Sequence, residues 1–158
     1  NLLSTFGITF NWRRGQDDAL IFIIMAAVWK ILGYNILFFL AGLKQIPRDV
    51  IEAASLDGAN SWTRFWRMVF PLLMPMTLFL LIMNTLYASF DTFGLIDITT
   101  QGGPGRATNV LVYNLYNDGF KSTSGIGLAS AQSIILLAIV AALTVFQYKF
   151  VSRRTFYQ

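Results

Sequence analysis

Lys30, Asn84, Tyr87, Asp91 and Gln132 stand as polar side chains inside otherwise oily runs, and their types limit the chemistry open to this chain. An ammonium, a carboxylate, two amides and a phenol can bind a polar solute and hand it on. They do not make a nucleophile with its base. With no histidine and no cysteine, the chain has no Ser-His or Cys-His pair, no thiolate site and no ordinary zinc site. We therefore expect neither catalytic nor metal-ligating residues, and no disulfide. Binding, passage and coupling remain.

The elements that must position these residues are membrane helices. The chain is 55% hydrophobic, 15% aromatic and only 13% charged, about half the usual charge of a soluble domain. Three stretches are long enough to cross a bilayer, which needs about 20 mostly apolar residues. They run over residues 19–43, 68–93 and 128–150. Each is expected to be helical, because in lipid the backbone finds no partner but itself. Pro71 and Pro75 fall in the first turns of the second span and should bend its entry more than break it. The expected fold is an all-α membrane protein.

Basic residues orient the spans. Lys44, Arg48, Arg64 and Arg67 lie between the first two spans, and Lys149, Arg153 and Arg154 follow the third. Arg13, Arg14, Arg106 and Lys121 lie on the other side, with Lys30 inside a span. By the positive-inside tendency, the segment 46–67 and the C-terminus face the cytoplasm, and the loop 97–127 faces outward. These cations flank apolar segments instead of forming a patch, so nucleic acid is not an expected partner. The chain opens on Asn1 with no cleavable signal pattern, and we read it as the C-terminal part of a longer protein.

Within the spans, Asn84, Tyr87 and Asp91 recur at a spacing that places them on one face of a regular helix. Lys30 and Asn84 both fall roughly 14 to 16 Å deep at about 1.5 Å per residue, with Asp91 and Gln132 shallower. One polar belt along a translocation path is one reading. Hydrogen bonding that merely holds the helices together is the other, with Lys30 snorkelling or paired with Asp91 for structural reasons. For Lys30 the path is favoured, because an ammonium near mid-membrane costs at least ~2.5 kcal/mol unless it meets water or a partner.

Between the first two spans, "IPRDVIEAASLDGANSW" reads as two short amphipathic helices. Pro47 opens the first and Asp49 sits in its first turn, where the helix dipole favours an anion. Gly58 supplies the stop, and Asn60 or Ser61 can cap the next helix. There Trp62, Phe65, Trp66, Val69 and Phe70 follow a helical period. Such linkers often rest on lipid headgroups and do nothing more.

The order of residues in this linker points further. Glu52, Ala53 and Ala54, then Asp57, Gly58 and Ala59, then Pro71 resemble the "EAA" signature of the membrane subunits of binding-protein-dependent ABC importers. Gly58 and Pro71 stand where that signature places its glycine and proline; Met68 and Phe70 replace its usual isoleucine and leucine. The stretches "GYNILFFLAGLKQIPRDVIEAASLDGA", "FWRMVFPLLMP", "FDTFGLIDITTQGGPGRAT" and "YNLYNDGF" look closest to the permease subunit of bacterial sn-glycerol-3-phosphate importers. Relatives that carry maltose and other oligosaccharides share the signature and a Gly-Gly-Pro loop.

The resemblance implies a division of labour. A multi-pass permease subunit of the bacterial inner membrane would pair with a homologous second permease, a cytoplasmic ABC ATPase dimer and a periplasmic or lipoprotein substrate-binding protein. Glu52, Ala53, Ala54, Asp57, Gly58 and Ala59 would form the coupling element seated in the ATPase cleft. Gly102, Gly103 and Pro104 would lie in an outer loop near the path and the docked binding protein, although a bare glycine-proline cluster is most often only a turn. A complete permease of this kind has about six spans, so the N-terminal half would lie outside this chain. No G-x-x-x-x-G-K-[ST] phosphate cradle is present, so ATP and Mg would be bound by the partner ATPase and no cofactor by this chain. A sugar or oligosaccharide cargo is the nearest alternative. A membrane scaffold or sensor that docks an ATPase without transporting is the alternative of another class.

Overall fold

The computed structural model describes residues 11–56, 58, 60–122 and 124–152, and all regular structure among them is helical. The helices are α1 (Gln16–Lys44), α2 (Arg48–Leu56), α3 (Ser61–Arg64), α4 (Phe70–Leu72), α5 (Met74–Leu86), α6 (Thr92–Thr99), α7 (Leu111–Tyr116) and α8 (Ile126–Ser152). Three turns of wider π-type helix interrupt this order, at Phe65–Val69, Tyr87–Asp91 and Asn117–Lys121.

Three stretches among the described residues are long and apolar enough to cross a membrane: Gln16–Lys44, Met74–Thr99 and Ile126–Phe150. Asp17 and Asp18 sit in the first turn of α1 and Lys44 in its last, as the helix dipole favours. The second stretch departs from the hydropathy reading. It begins at Met74, because Pro71 and Pro75 cannot donate to the helical ladder and leave a turn at Leu73. The chain stays right-handed there, with Leu73 N donating to Val69 O at 3.1 Å, so the entry does not unwind. It ends at Thr99 instead of 93, because Ile96 is fully buried against Ile23 and Tyr113 and packing carries the helix on. The expected loop 97–127 likewise contains α7 and a π-turn.

The described chain divides into two compact units. One comprises residues up to Lys30 with Leu86–Ala141, the other Ile31–Thr85 with residues from Ala142 onward. In the first, Ile23, Ile96 and Tyr113 form a small core, with Phe22, Phe93 and Leu95 packed against it. Trp12 stacks on Phe22 at 5.1 Å between ring centroids. Lys121 lies over the rings of Tyr113 and Tyr116 at 5.6 and 5.1 Å and faces Asp97 at 4.0 Å, tying the π-turn to α6 and α7. A side chain at Gly125 would collide with the Asp118 carbonyl, so glycine lets the start of α8 meet that turn.

In the second unit, Tyr34 and Phe38 pair at 4.4 Å and Phe38 stacks on Phe79 at 5.6 Å, joining α1 to α5. Gly42 permits close approach, since a Cβ there would stand 3.1 Å from Leu73 Cδ2. Gln147 Nε2 donates to Thr85 Oγ1 at 2.6 Å, fastening α8 to α5. Leu37, Ile134, Leu137 and Phe146 are at least 65% exposed, so lipid or a neighbouring membrane chain must cover these helices.

Candidate translocation and coupling sites

Lys30 and Asp91 form an ion pair, with Lys30 Nζ donating to Asp91 Oδ2 at 2.5 Å. Asp91 is the last residue of the π-turn Tyr87–Asp91. That turn is wider than a regular helical turn, so the regular spacing of Asn84, Tyr87 and Asp91 does not run unbroken through it. Its last residue meets a cation. Both side chains remain about half exposed, at 58% and 46%.

Asn84 has a different partner. Its Nδ2 donates to Asn35 Oδ1 at 3.2 Å and its Oδ1 accepts from Asn35 Nδ2 at 3.3 Å, a reciprocal amide pair between α5 and α1. Gln132 turns to the π-turn Asn117–Lys121, its Nε2 donating to Asp118 Oδ2 at 2.8 Å. The polar residues singled out by type thus appear as discrete pairs: Lys30 with Asp91, Asn84 with Asn35, Gln132 with Asp118. Asn114, Asp118 and Asn109 carry no weight in the hydropathy reading. The signal for the first two is the helical spacing of Asn114, Asn117 and Asp118 in "YNLYNDGF".

The loop from Thr100 to Val110 is folded on itself. Thr108, 1% exposed, lies with its hydroxyl 2.7 Å from that of Thr100 and donates to the Gly103 carbonyl at 2.8 Å. Gly102 and Gly105 take φ of +82° and +56°, and Gly103 precedes Pro104 through a cis bond. Gln101 and Arg106 also take positive φ, at 50° and 65°. Arg106 Nη2 donates to Asn114 Oδ1 at 3.1 Å, and Asn114 Nδ2 donates to Asp118 Oδ2 at 3.3 Å. Asn109 is oriented by the guanidinium, which has only donors. With its oxygen turned to Arg106 it accepts from Nε at 3.2 Å and Nη2 at 3.1 Å, and this outweighs the bond its nitrogen would make to Asn114.

In the linker, α2 carries Glu52, Ala53 and Ala54, with Ala54 buried and Glu52 exposed. Gly58 follows at φ +77°, the left-handed conformation that ends a helix at little cost to glycine. Asn60 then caps α3, its Oδ1 accepting from Thr63 N at 2.8 Å. Asp57 and Ala59 lie outside the described residues, as do Arg153 and Arg154. The π-turn at Phe65–Val69 interrupts the helical period expected beyond Trp62, yet the rings still meet. Trp62 lies 5.8 Å from Trp66, and Trp66 lies 5.1 Å from Phe70. Among the described residues no three His, Cys, Asp or Glu side chains gather at metal-binding spacing.

A family model described as the binding-protein-dependent transport system inner membrane component matches residues 3–157. The chain belongs to this family. With three helices long and apolar enough to cross a membrane, it is a multi-pass membrane chain of the family that the Glu52 to Pro71 signature indicates. Named relatives are permeases. The chain is 56% identical over 150 residues to the sn-glycerol-3-phosphate transport system permease protein UgpA of Rhizobium meliloti, covering 94% of this chain and 51% of that one. The protein of the same name in Brucella abortus is 52% identical over 156 residues, covering 99% and 53%. That of Yersinia enterocolitica is 44% identical over 160 residues, covering 100% and 53%. The chain spans about half the length of these curated relatives.

Proposed function

We propose that this chain is part of the permease subunit of a bacterial ABC importer that carries sn-glycerol-3-phosphate inward across the inner membrane. The observation that carries the substrate is the 44–56% identity, over nearly the whole chain, to proteins named as permeases of sn-glycerol-3-phosphate transport. The polar pairs described above support it. A phosphate monoester crossing a low-dielectric path needs compensating charge or many donors, and Lys30 is the cation set within a span.

An outer binding protein delivers the solute to a cavity between this subunit and a homologous permease. Lys30, Asn84, Tyr87, Asp91 and Gln132 contribute polar groups to the path. The segment Glu52 to Ala59 seats in a cleft of a cytoplasmic ATPase, which binds ATP and Mg, and closure of the ATPase dimer moves it. The break at Gly58 lets that segment move as a short rigid piece separate from α3. Hydrolysis occurs in the ATPase, and this chain performs no covalent step.

Reconstituted in proteoliposomes with its partner subunits and binding protein, the transporter should take up labelled glycerol-3-phosphate only with ATP inside the compartment that holds the ATPase. Excess unlabelled glycerol-3-phosphate should compete and a disaccharide should not. Competition by the disaccharide alone would move the assignment to an oligosaccharide permease. ATPase binding with no uptake of either would leave a docking scaffold.

A further inference from the structure

The folded loop and the π-turn after α7 together line an open pocket of about 320 Å³ in the first unit, with Arg106, Asn109, Tyr113, Asn114, Asn117 and Asp118 on its walls. We propose that this pocket is a binding site for a small phosphorylated polyol, with Arg106 taking the phosphate and Asp118 taking a hydroxyl at the other end. The identity of the polyol phosphate rests on the transport reading above; the two-ended chemistry does not.

Charge retention is the first argument. Arg106 is held by the amide oxygens of Asn114 and Asn109, and the structure shows no salt bridge to it among the described residues. Neutral amides orient a guanidinium without cancelling its charge, which leaves a positive fork facing the cavity. Asp118 is treated the same way. Its Oδ2 accepts from Asn114 Nδ2 at 3.3 Å and Gln132 Nε2 at 2.8 Å, both neutral donors. Asn114 stands between the two charges, oxygen toward Arg106 and nitrogen toward Asp118, and keeps them apart in a fixed order.

Backbone strain is the second. Arg106 is a non-glycine residue at φ +65°, a left-handed conformation that L side chains rarely adopt and that persists only where surroundings impose it. The buried Thr108 hydroxyl and the amide contacts impose it here, and the result is a guanidinium delivered to the cavity. Gly102 makes the floor: a Cβ there would stand 2.9 Å from the Tyr113 ring.

Size and polarity choose the ligand. The pocket, about 320 Å³ and open to solvent, admits a solute of a few carbons that carries one phosphate, such as glycerol phosphate. A guanidinium fork matches phosphate oxygens, and a carboxylate accepts from a hydroxyl. A neutral sugar would offer the Arg106 guanidinium no opposite charge.

The test uses the absence of cysteine in this chain. Asn117→Cys is introduced at the cavity wall in the assembled transporter, and its rate of alkylation is followed with inorganic phosphate, glycerol or sn-glycerol-3-phosphate added. Phosphate and glycerol-3-phosphate should both slow labelling, glycerol-3-phosphate at the lower concentration, and glycerol alone should not. Arg106→Met should raise the half-protecting concentration of both anions by about tenfold or more, whereas Arg106→Lys should keep part of the protection. Asp118→Asn should weaken protection by glycerol-3-phosphate and spare that by inorganic phosphate. Protection unchanged in Arg106→Met overturns the site, as does no protection by either anion in a transporter that takes up glycerol-3-phosphate. If no glycerol-3-phosphate uptake occurs but Arg106-dependent phosphate protection persists, the transport reading falls and the anion site stands.

Discussion

A lysine and an aspartate placed within apolar helices need each other. In water a half-exposed pair such as Lys30 with Asp91 would contribute about 0 to 1 kcal/mol. Inside a bilayer a single uncompensated charge costs about 2.5 to 3.5 kcal/mol on insertion scales, so each side chain here offsets the cost of the other. An arriving phosphate dianion would compete with Asp91 for the ammonium, which makes the pair a resting counter-ion within the proposed path. Removing Lys30 alone mixes two effects, because it leaves Asp91 bare. The double variant Lys30→Met with Asp91→Asn separates them, since no charge is left behind. We expect that variant to insert and to bind its ATPase as the parent does, and to take up glycerol-3-phosphate at least about tenfold more slowly, the loss of one charge-assisted contact. Uptake at the parental rate by the correctly assembled double variant would reduce the pair to a structural fastener.

At the scale of elements, the linker offers a test of backbone against bulk. A Cβ at Gly58 would meet nothing within 4 Å, so within this chain a substitution there acts through φ alone. Valine in the left-handed region costs about 1 to 3 kcal/mol, alanine less, and asparagine least, because its side chain tolerates that conformation. The expected order of thermal stability and of substrate-stimulated ATPase activity in the assembled transporter is therefore Gly58, then Gly58→Asn, Gly58→Ala and Gly58→Val. Asparagine worse than alanine would mean that bulk in the ATPase cleft decides instead. This stop, like the Asn60 cap, is legible in residue types, because glycine and asparagine report backbone needs directly. The three long helices are legible for an equally local reason, the length of apolar run a bilayer demands. The π-turns are not. One extra residue in a turn leaves hydropathy unchanged, and its location depends on non-local partners such as Lys30 for Asp91 and Gln132 for Asp118. The end of the second span is hidden for the same reason, since Ile96 extends the helix through contacts with Ile23 and Tyr113 that lie far off in sequence. Of the polar contacts, the Lys30–Asp91 pair is among those that residue type suggests, because two opposite charges in apolar runs seek each other, whereas the Asn84–Asn35 and Gln132–Asp118 bonds join neutral amides to partners that type alone does not single out.

For the whole molecule, the distribution of cations decides which way it faces, and the linker and the folded loop depend on that choice in opposite senses. Lys44, Arg48, Arg64 and Arg67 gather around the linker, and Lys149, Arg153 and Arg154 follow the third span, whereas Arg13, Arg14, Arg106 and Lys121 are spread over the other side. Cytoplasmic loops retain an excess of lysine and arginine, so the linker should face the cytoplasm and the Arg106 loop the outside. Three crossings then leave the C-terminus inside. Ser61 and Ser122 are both exposed, and serine to cysteine is a small change, so the two positions report on the two sides with little disturbance. In intact cells a membrane-impermeant maleimide should label Ser122→Cys and spare Ser61→Cys. After permeabilisation it should reach Ser61→Cys, and more slowly when the ATPase is present, because α3 begins at that residue beside the proposed docking segment. The reverse pattern would place the linker outside, out of reach of any cytoplasmic ATPase, and would end the coupling assignment together with the orientation. Equal labelling of both positions in intact cells would show that the cation bias does not set a single topology.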